Sequence, residues 1–161
     1  MIFIIMNLNE QIHRIKNLMY EQPQTKVVYG GDFSNTEGKS IEILTPDDKQ
    51  IGILYLTKLQ NADMLDPEFK TYYNDEKFQT VPLNYDNSLF GHGFEVNPEF
   101  RGNGYGDQLL DYCHEFVKNT GHDYLTFIMD SDNPIAQSLY KKRGYDILNS
   151  LDSSKFYFTK V

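Results

Sequence analysis

The sequence predicts one α/β (α+β) domain spanning residues 1–161, built on a mixed sheet with at least one parallel strand pair. Three observations lead there. Hydrophobic residues recur with period two from Thr25 to Lys58, the pattern of half-buried strands. From Ser88 onward short strand-like runs alternate with two amphipathic helical stretches, and strands joined through helices run parallel. Finally, 161 residues form one domain of ordinary size, able to bury roughly 70% of the surface its unfolded chain exposes.

The elements follow in chain order. After an apolar hexapeptide, Leu8, Ile12, Ile15 and Met19 recur at spacings of 4, 3 and 4, which predicts an amphipathic helix ending before Pro23. This 1–22 extension either packs on the core or docks a partner chain, as a homodimer or assembly contact. Lys26–Tyr29, Ser40–Leu44 and Gln50–Thr57, rich in Val, Ile and Tyr, read as an antiparallel meander punctuated by Gly30-Gly31 and Pro46-Asp47-Asp48. Asn61–Asn87 has no period. It holds Asp63, Asp66, Glu68, Asp75, Glu76 and Asp86 against Lys70 and Lys77, a surplus of four negative charges. Long aperiodic connections are functional lids or disordered, and Phe69, Tyr72, Tyr73, Phe78 and Tyr85 argue against full disorder. Ser88–Val96 is a strand and Tyr105–Asn119 a helix with Leu109, Leu110, Cys113, Phe116 and Val117 on one face. Tyr124–Met129 is a buried strand, and a second helix starts at Pro134, capped by Asn133 and closed by Gly144. Tyr145–Asn149 and Lys155–Lys160 are closing strands.

Charge and composition narrow the function. With 15 Lys+Arg against 23 Asp+Glu, a net charge of −8 and a pI near 4.9, the surface does not suit duplex nucleic acid or anionic lipid, which select for basic residues. No run approaches the roughly 20 apolar residues of a membrane helix, and Met1–Met6 is too short for a secretory core. The single Cys113 excludes an intrachain disulfide and a multi-cysteine zinc site. The expectation is a cytoplasmic protein without a bound metal, a nucleic-acid partner or a membrane.

The most informative segment is Val96-Asn-Pro-Glu-Phe-Arg-Gly-Asn-Gly-Tyr-Gly106, which places three glycines at alternate positions between a strand and a helix start. Glycine lets backbone N–H groups approach a ligand, and a helix N-terminus adds unsatisfied donors and partial positive charge, which together seat phosphate. A tight structural turn is the plain alternative. Asp107 stands where the dinucleotide fingerprint needs Gly or Ala, and no Gly-Lys-Ser/Thr follows, so neither that fingerprint nor the P-loop fits.

Arg101-Gly-Asn-Gly104-Tyr-Gly106 resembles the (Gln/Arg)-x-x-Gly-x-(Gly/Ala) acyl-CoA signature of the GNAT acyltransferases, down to the preceding Val96-x-Pro98. Asn133-Pro-Ile-Ala136-Gln-Ser-Leu139-Tyr140-Lys-Lys-Arg-Gly144-Tyr145 resembles that family's Asn-x-x-Ala-x-x-Leu-Tyr-x-x-x-Gly-Phe segment, with Tyr145 in place of Phe. The resemblance covers residues 88–160, whereas residues 1–87 match only as a generic meander. The 1–22 segment also looks like short N-terminal helices of some tailed-phage proteins, which points to a phage-encoded chain.

The resemblance implies a mainly antiparallel sheet with helices on both faces, whose fourth and fifth strands splay to bind acyl-CoA. It implies acetyl-CoA as co-substrate, its pyrophosphate on Arg101, Gly102, Asn103, Gly104, Tyr105 and Gly106, and its pantetheine arm along the main chain of Phe94, Glu95 and Val96. Direct attack by an amine then needs an acid for the departing thiolate and a base for the incoming ammonium. Tyr140 matches the acid position. His92, four residues before Val96 and so on the same strand face, is the base candidate, with Glu95 the competing carboxylate if a bulge at Gly91 or Gly93 changes parity. Asn133 either holds the cofactor or caps its helix, and Lys141, Lys142 and Arg143 either reach the CoA 3′-phosphate or answer the helix dipole. The expected activity is N-acetyl transfer to a primary amine, either a small cationic amine or a peptide or protein amine, with the Asn61–Asn87 acids and aromatics facing it. The alternative is a non-catalytic acyl-CoA-binding or structural module docked through its N-terminal helix.

Overall fold

The computed structural model describes residues 24–74, 76–81, 83–150 and 154–161. The expected N-terminal helix lies outside these residues. Among the described residues seven strands form one sheet in the order β1-β2-β3-β4-β5-β7-β6. The strands are β1 (Lys26–Gly31), β2 (Lys39–Leu44), β3 (Gln50–Lys58), β4 (Ser88–Val96), β5 (Tyr124–Asp130), β6 (Asp146–Ser150) and β7 (Ser154–Lys160). All neighbours pair antiparallel except β4 and β5. The helix α3 (Tyr105–Asn119) makes the parallel crossover between them. The remaining α-helices are α1 (Ala62–Leu65), α2 (Phe69–Tyr73) and α4 (Pro134–Lys142).

Two apolar clusters sit on opposite faces of the sheet, because successive strand residues point to opposite sides. One face joins Leu89, Leu125, Phe127 and Tyr157 to α3 through Leu109, Leu110, Cys113 and Val117, and to α4 through Tyr140. The other joins Phe90, Tyr124 and Phe156 to the 59–87 segment through Leu59, Ala62, Phe69, Tyr72, Phe78 and Leu83. The segment is packed on the sheet, in keeping with the aromatics that argue against full disorder. Its single helical turns are too short to show a period, yet its aromatics cover this face of the sheet over β4, β5 and β7. Phe69 alone packs at ring distances of 5.8–6.4 Å, tilted or edge-on, against Tyr73, Phe78, Phe90 and Phe156.

The β4–β5 pairing is short. Ser88–Gly91 lie in register with Tyr124–Phe127, and no pairing between the two strands continues beyond. Three causes converge at that point. A Cβ on Gly91 would stand 2.0 Å from Phe127 Cε1, so only glycine lets the ring lie against β4. Gly93 has φ +57°, and the β3–β4 ladder slips there, Ile53 facing Glu95 while Tyr55 faces His92. That is a bulge with the extra residue on β4, which bends the strand. On its far side β5 stays paired with β7 through Asp130, so β4 leans away alone.

Candidate active site

Where β4 and β5 part, a cleft of about 540 Å3 opens. Its walls are Gly91–Phe94 of β4, Phe127–Asp130 of β5, Asn133, Ala136 and Tyr140 at α4, and Leu65–Glu68 between α1 and α2, with Ser154 beside them. The size suits a small-molecule site.

Tyr140 reaches this cleft from the core. Asn133 starts its helix, the side-chain Oδ1 accepting the Ala136 N–H at 3.1 Å above Pro134. At the other end the Tyr145 N–H donates to the Tyr140 carbonyl at 3.0 Å across Gly144, whose φ is +75°. The Tyr140 ring is held at 5.0 Å from Phe127, 4.9 Å from Tyr145 and 5.1 Å from Tyr157, and the residue is 1% exposed. Burial holds its phenol well above the usual value, so it keeps its proton.

His92 lines the same cleft, half-buried and stacked on Tyr55 at 5.4 Å. Its Nε2 lies 3.0 Å from the main-chain carbonyl of Glu37. A carbonyl oxygen only accepts, so Nε2 carries the hydrogen and Nδ1 keeps the lone pair. Burial holds the imidazole below its usual pKa against the opposing effect of that carbonyl, so it is neutral at pH 7.

The glycine loop stands one residue away. Gly102 and Gly104 have φ of +79° and +82°, and a Cβ on either would meet nothing within 4 Å. Gly104 is the N-cap of α3 and offers no side chain, so the first-turn N–H groups have no intrahelical acceptor. The loop meets the cleft through Phe94, since a Cβ on Gly106 would stand 3.7 Å from the Phe94 ring and 3.6 Å from Leu139.

Of the residues singled out by the sequence, Phe94, His92, Asn133 and Tyr140 share the cleft. Arg101, Gly102, Asn103, Gly104, Tyr105, Gly106, Val96 and Glu95 do not line it. Arg101 turns back, its Nε donating to the Val96 carbonyl at 2.9 Å, and Asn103 Nδ2 donates to the carbonyls of Phe100 and Arg101. Tyr105 is buried edge-on to Phe100. Glu95 is exposed, and the bulge between it and His92 breaks the simple parity count along β4. Arg143 is tied to Asp107 and Asp111, not free at the surface.

Sequence reasoning missed Phe127–Asp130, whose side of the cleft depends on β5 being the parallel neighbour of β4. It also did not place Asp66 and Glu68 beside Asp130. Burial, with the neighbouring charges of Glu68 and Asp130, lifts the Asp66 carboxyl above its ordinary value despite the Glu68 N–H that it accepts. Glu68 accepts from the Ser154 hydroxyl, and Ser154 pairs with the Tyr72 hydroxyl at 2.6 Å. Cys113 is buried, and burial pushes its thiol up, as expected of a core residue. Among the described residues no helix is long and apolar enough to cross a membrane, and no group of three metal-ligating side chains gathers.

Comparison with known proteins matches residues 46–145 to the acetyltransferase (GNAT) family. Solved structures similar in fold include the PaiA N-acetyltransferase from Thermoplasma acidophilum in complex with coenzyme A, 16% identical with a TM-score of 0.54 over 76% of this chain. An N-acetyltransferase from Staphylococcus aureus Mu50 is 13% identical with a TM-score of 0.54, covering 96% of this chain and 78% of its own. The spermidine/spermine N-acetyltransferase SpeG from Vibrio cholerae is 13% identical with a TM-score of 0.55, over 94% of this chain and 73% of its own. The chain spans 60% of the Thermoplasma protein's length and 63% of a matching Acinetobacter baylyi ADP1 structure. No curated protein matches the chain by sequence.

Proposed function

The chain belongs to the GNAT acetyltransferase family, and from that premise we propose that it transfers acetyl from acetyl-CoA to a cationic primary amine, small or peptide-borne, by direct attack. The observation behind this reading is that Tyr140 and His92 line one cleft at the point where β4 and β5 part. The glycine loop suits a diphosphate: open space stands where a Cβ on Gly102 or Gly104 would lie, beside the unsatisfied N–H groups of α3.

Acetyl-CoA, when bound, supplies the acetyl group as a thioester. Beyond Gly91 the edge of β4 that faces β5 pairs with no strand, so main-chain groups of Phe94 and Glu95 are available to an extended arm in strand fashion, the Val96 carbonyl being held by Arg101 Nε. His92 Nδ1 takes a proton from the incoming ammonium, freeing the lone pair that forms the C–N bond. Tyr140 gives its hydroxyl proton to sulfur as the C–S bond breaks, and the second proton lost by the nitrogen as the amide forms restores the Tyr140 hydroxyl. The desolvation that raises the phenol also raises the basicity of a thiolate beside it, which keeps the pair matched. Each such group is typically worth 10²–10⁴-fold. Asp66, Glu68 and Asp130, which line the same cleft, draw positive charge toward His92.

The test is acetyl-CoA-dependent release of CoA thiol by the full chain over mono-, di- and polyamines and lysine-containing peptides. Release with cationic amines is expected. Absence of turnover across the panel, with CoA still bound, would sink the reading in favour of a non-catalytic acyl-CoA module.

A further inference from the structure

Asp107 is the third residue of α3, where a carboxylate ordinarily folds back onto the N-cap N–H and strengthens the helix start. In this chain that start is the end where the diphosphate would sit, so an acid there competes with the anion for the same donors and repels it. The side chain is turned away instead. Arg143, just past α4 and 36 residues on, holds Asp107 Oδ1 through Nε at 2.9 Å and donates from Nη2 to the Asp107 main-chain carbonyl at 2.7 Å. Its Nη1 binds Asp111 Oδ1 at 2.7 Å, and Lys142 Nζ stands 3.5 Å from Asp107 Oδ2. The Arg143 side chain is 17% exposed, so the pairing is partly shielded from solvent. Part-burial pushes the Asp107 carboxyl up, and Arg143 and Lys142 outweigh it, leaving it below its ordinary value and ionised.

We propose that Arg143 is a positioning residue for CoA, holding the Asp107 carboxylate off the α3 N-terminus and neutralising it so that the first-turn N–H groups serve the diphosphate. It touches neither the reacting atoms nor the cleft. The inference rests on the acetyl-CoA reading above.

The experiment is calorimetric titration of the full chain with CoA at low and physiological salt, together with KM for CoA and amine. Arg143→Gln is expected to weaken CoA about tenfold at low salt, less as salt screens the freed carboxylate, with the amine KM unchanged. Adding Asp107→Asn to that variant restores CoA binding to within about twofold of wild type. A merely structural clamp gives the reverse, since the double variant lacks both partners and stays weak. Wild-type affinity in Arg143→Gln, or no recovery in the double variant, overturns the proposal. If Arg143→Gln does not fold, Asp107→Asn alone decides: affinity equal to or tighter than wild type is expected, and a tenfold loss overturns it. Wild type that fails to bind CoA removes the acetyltransferase reading as well, whereas wild type that binds beside unaffected variants removes only this inference.

Discussion

The two ends of the β4–β5 pair are built from the same kinds of residue and do opposite things. At the joined end, Ser88–Gly91 and Tyr124–Phe127 hold a parallel ladder, and the Thr126 hydroxyl adds a buried bond to the Leu89 carbonyl at 3.1 Å. At the parted end, a bulge at Gly93 and one aromatic ring against Gly91 forfeit main-chain pairing and leave a cleft with His92 and Tyr140 in its walls. The lesson is that the site is made by withholding hydrogen bonds that the joined end shows the chain can form. The cost is supportable because β3 and β7 still hold the two strands from outside.

The strongest way to break that contrast is Gly91→Ala. The new methyl would meet Phe127, whose ring is buried, stacked on Tyr140 and tilted against Tyr145, so neither side yields easily. A loss of about 3 kcal/mol, or roughly 6–12 °C in Tm, is expected by thermal denaturation. Next comes Tyr140→Phe, which leaves the joined end intact and strikes only the parted one. Turnover is expected to fall about 100-fold, with Tm and CoA affinity nearly unchanged, read by steady-state kinetics and calorimetry. An unchanged kcat would remove Tyr140 from the chemistry.

A smaller effect sharpens the assignment of the walls. Asp66→Asn with Glu68→Gln is expected to raise KM for a cationic amine about fivefold while leaving KM for acetyl-CoA alone. Equal KM for the amine would make these acids structural. The smallest effect is on stability. Burial lowers the pKa of His92, His114 and His122, so the unfolded chain takes up protons before the folded one as pH falls through about 6.5. Their contribution is present above that value and lost below it. Tm should therefore drop between pH 7 and 5.5, and His92→Gln should flatten part of the drop.

Much of this was legible in the chain. The Tyr105–Asn119 helix, the Asn133 cap and the strand ending at Val96 carry local signals, namely helical spacing, a capping side chain and punctuating glycine and proline, and the structure places all three at those residues. The two motifs that flank the cleft were legible for the same reason. The 59–87 face was not, because its stability lies in contacts such as Phe69 on Phe156 and Tyr72 on Ser154, more than 80 residues apart. The Asp107–Arg143 pair was equally hidden, since each residue has a sufficient local explanation in the helix end where it stands.

The hydrogen bond between His92 and the Glu37 carbonyl has one more consequence. The nitrogen left to accept a proton is chosen by the path of the chain between β1 and β2, not by any side chain there. Residue 37 can therefore drift freely in identity while its carbonyl keeps the same office, and what selection must guard in that connection is length and course. Two such proteins could differ at residue 37 and still present the same tautomer, provided that Asn35 Oδ1 still accepts the Gly38 N–H at 2.8 Å and that Gly38, where a Cβ would run into the Leu56 carbonyl, keeps its φ of +79°.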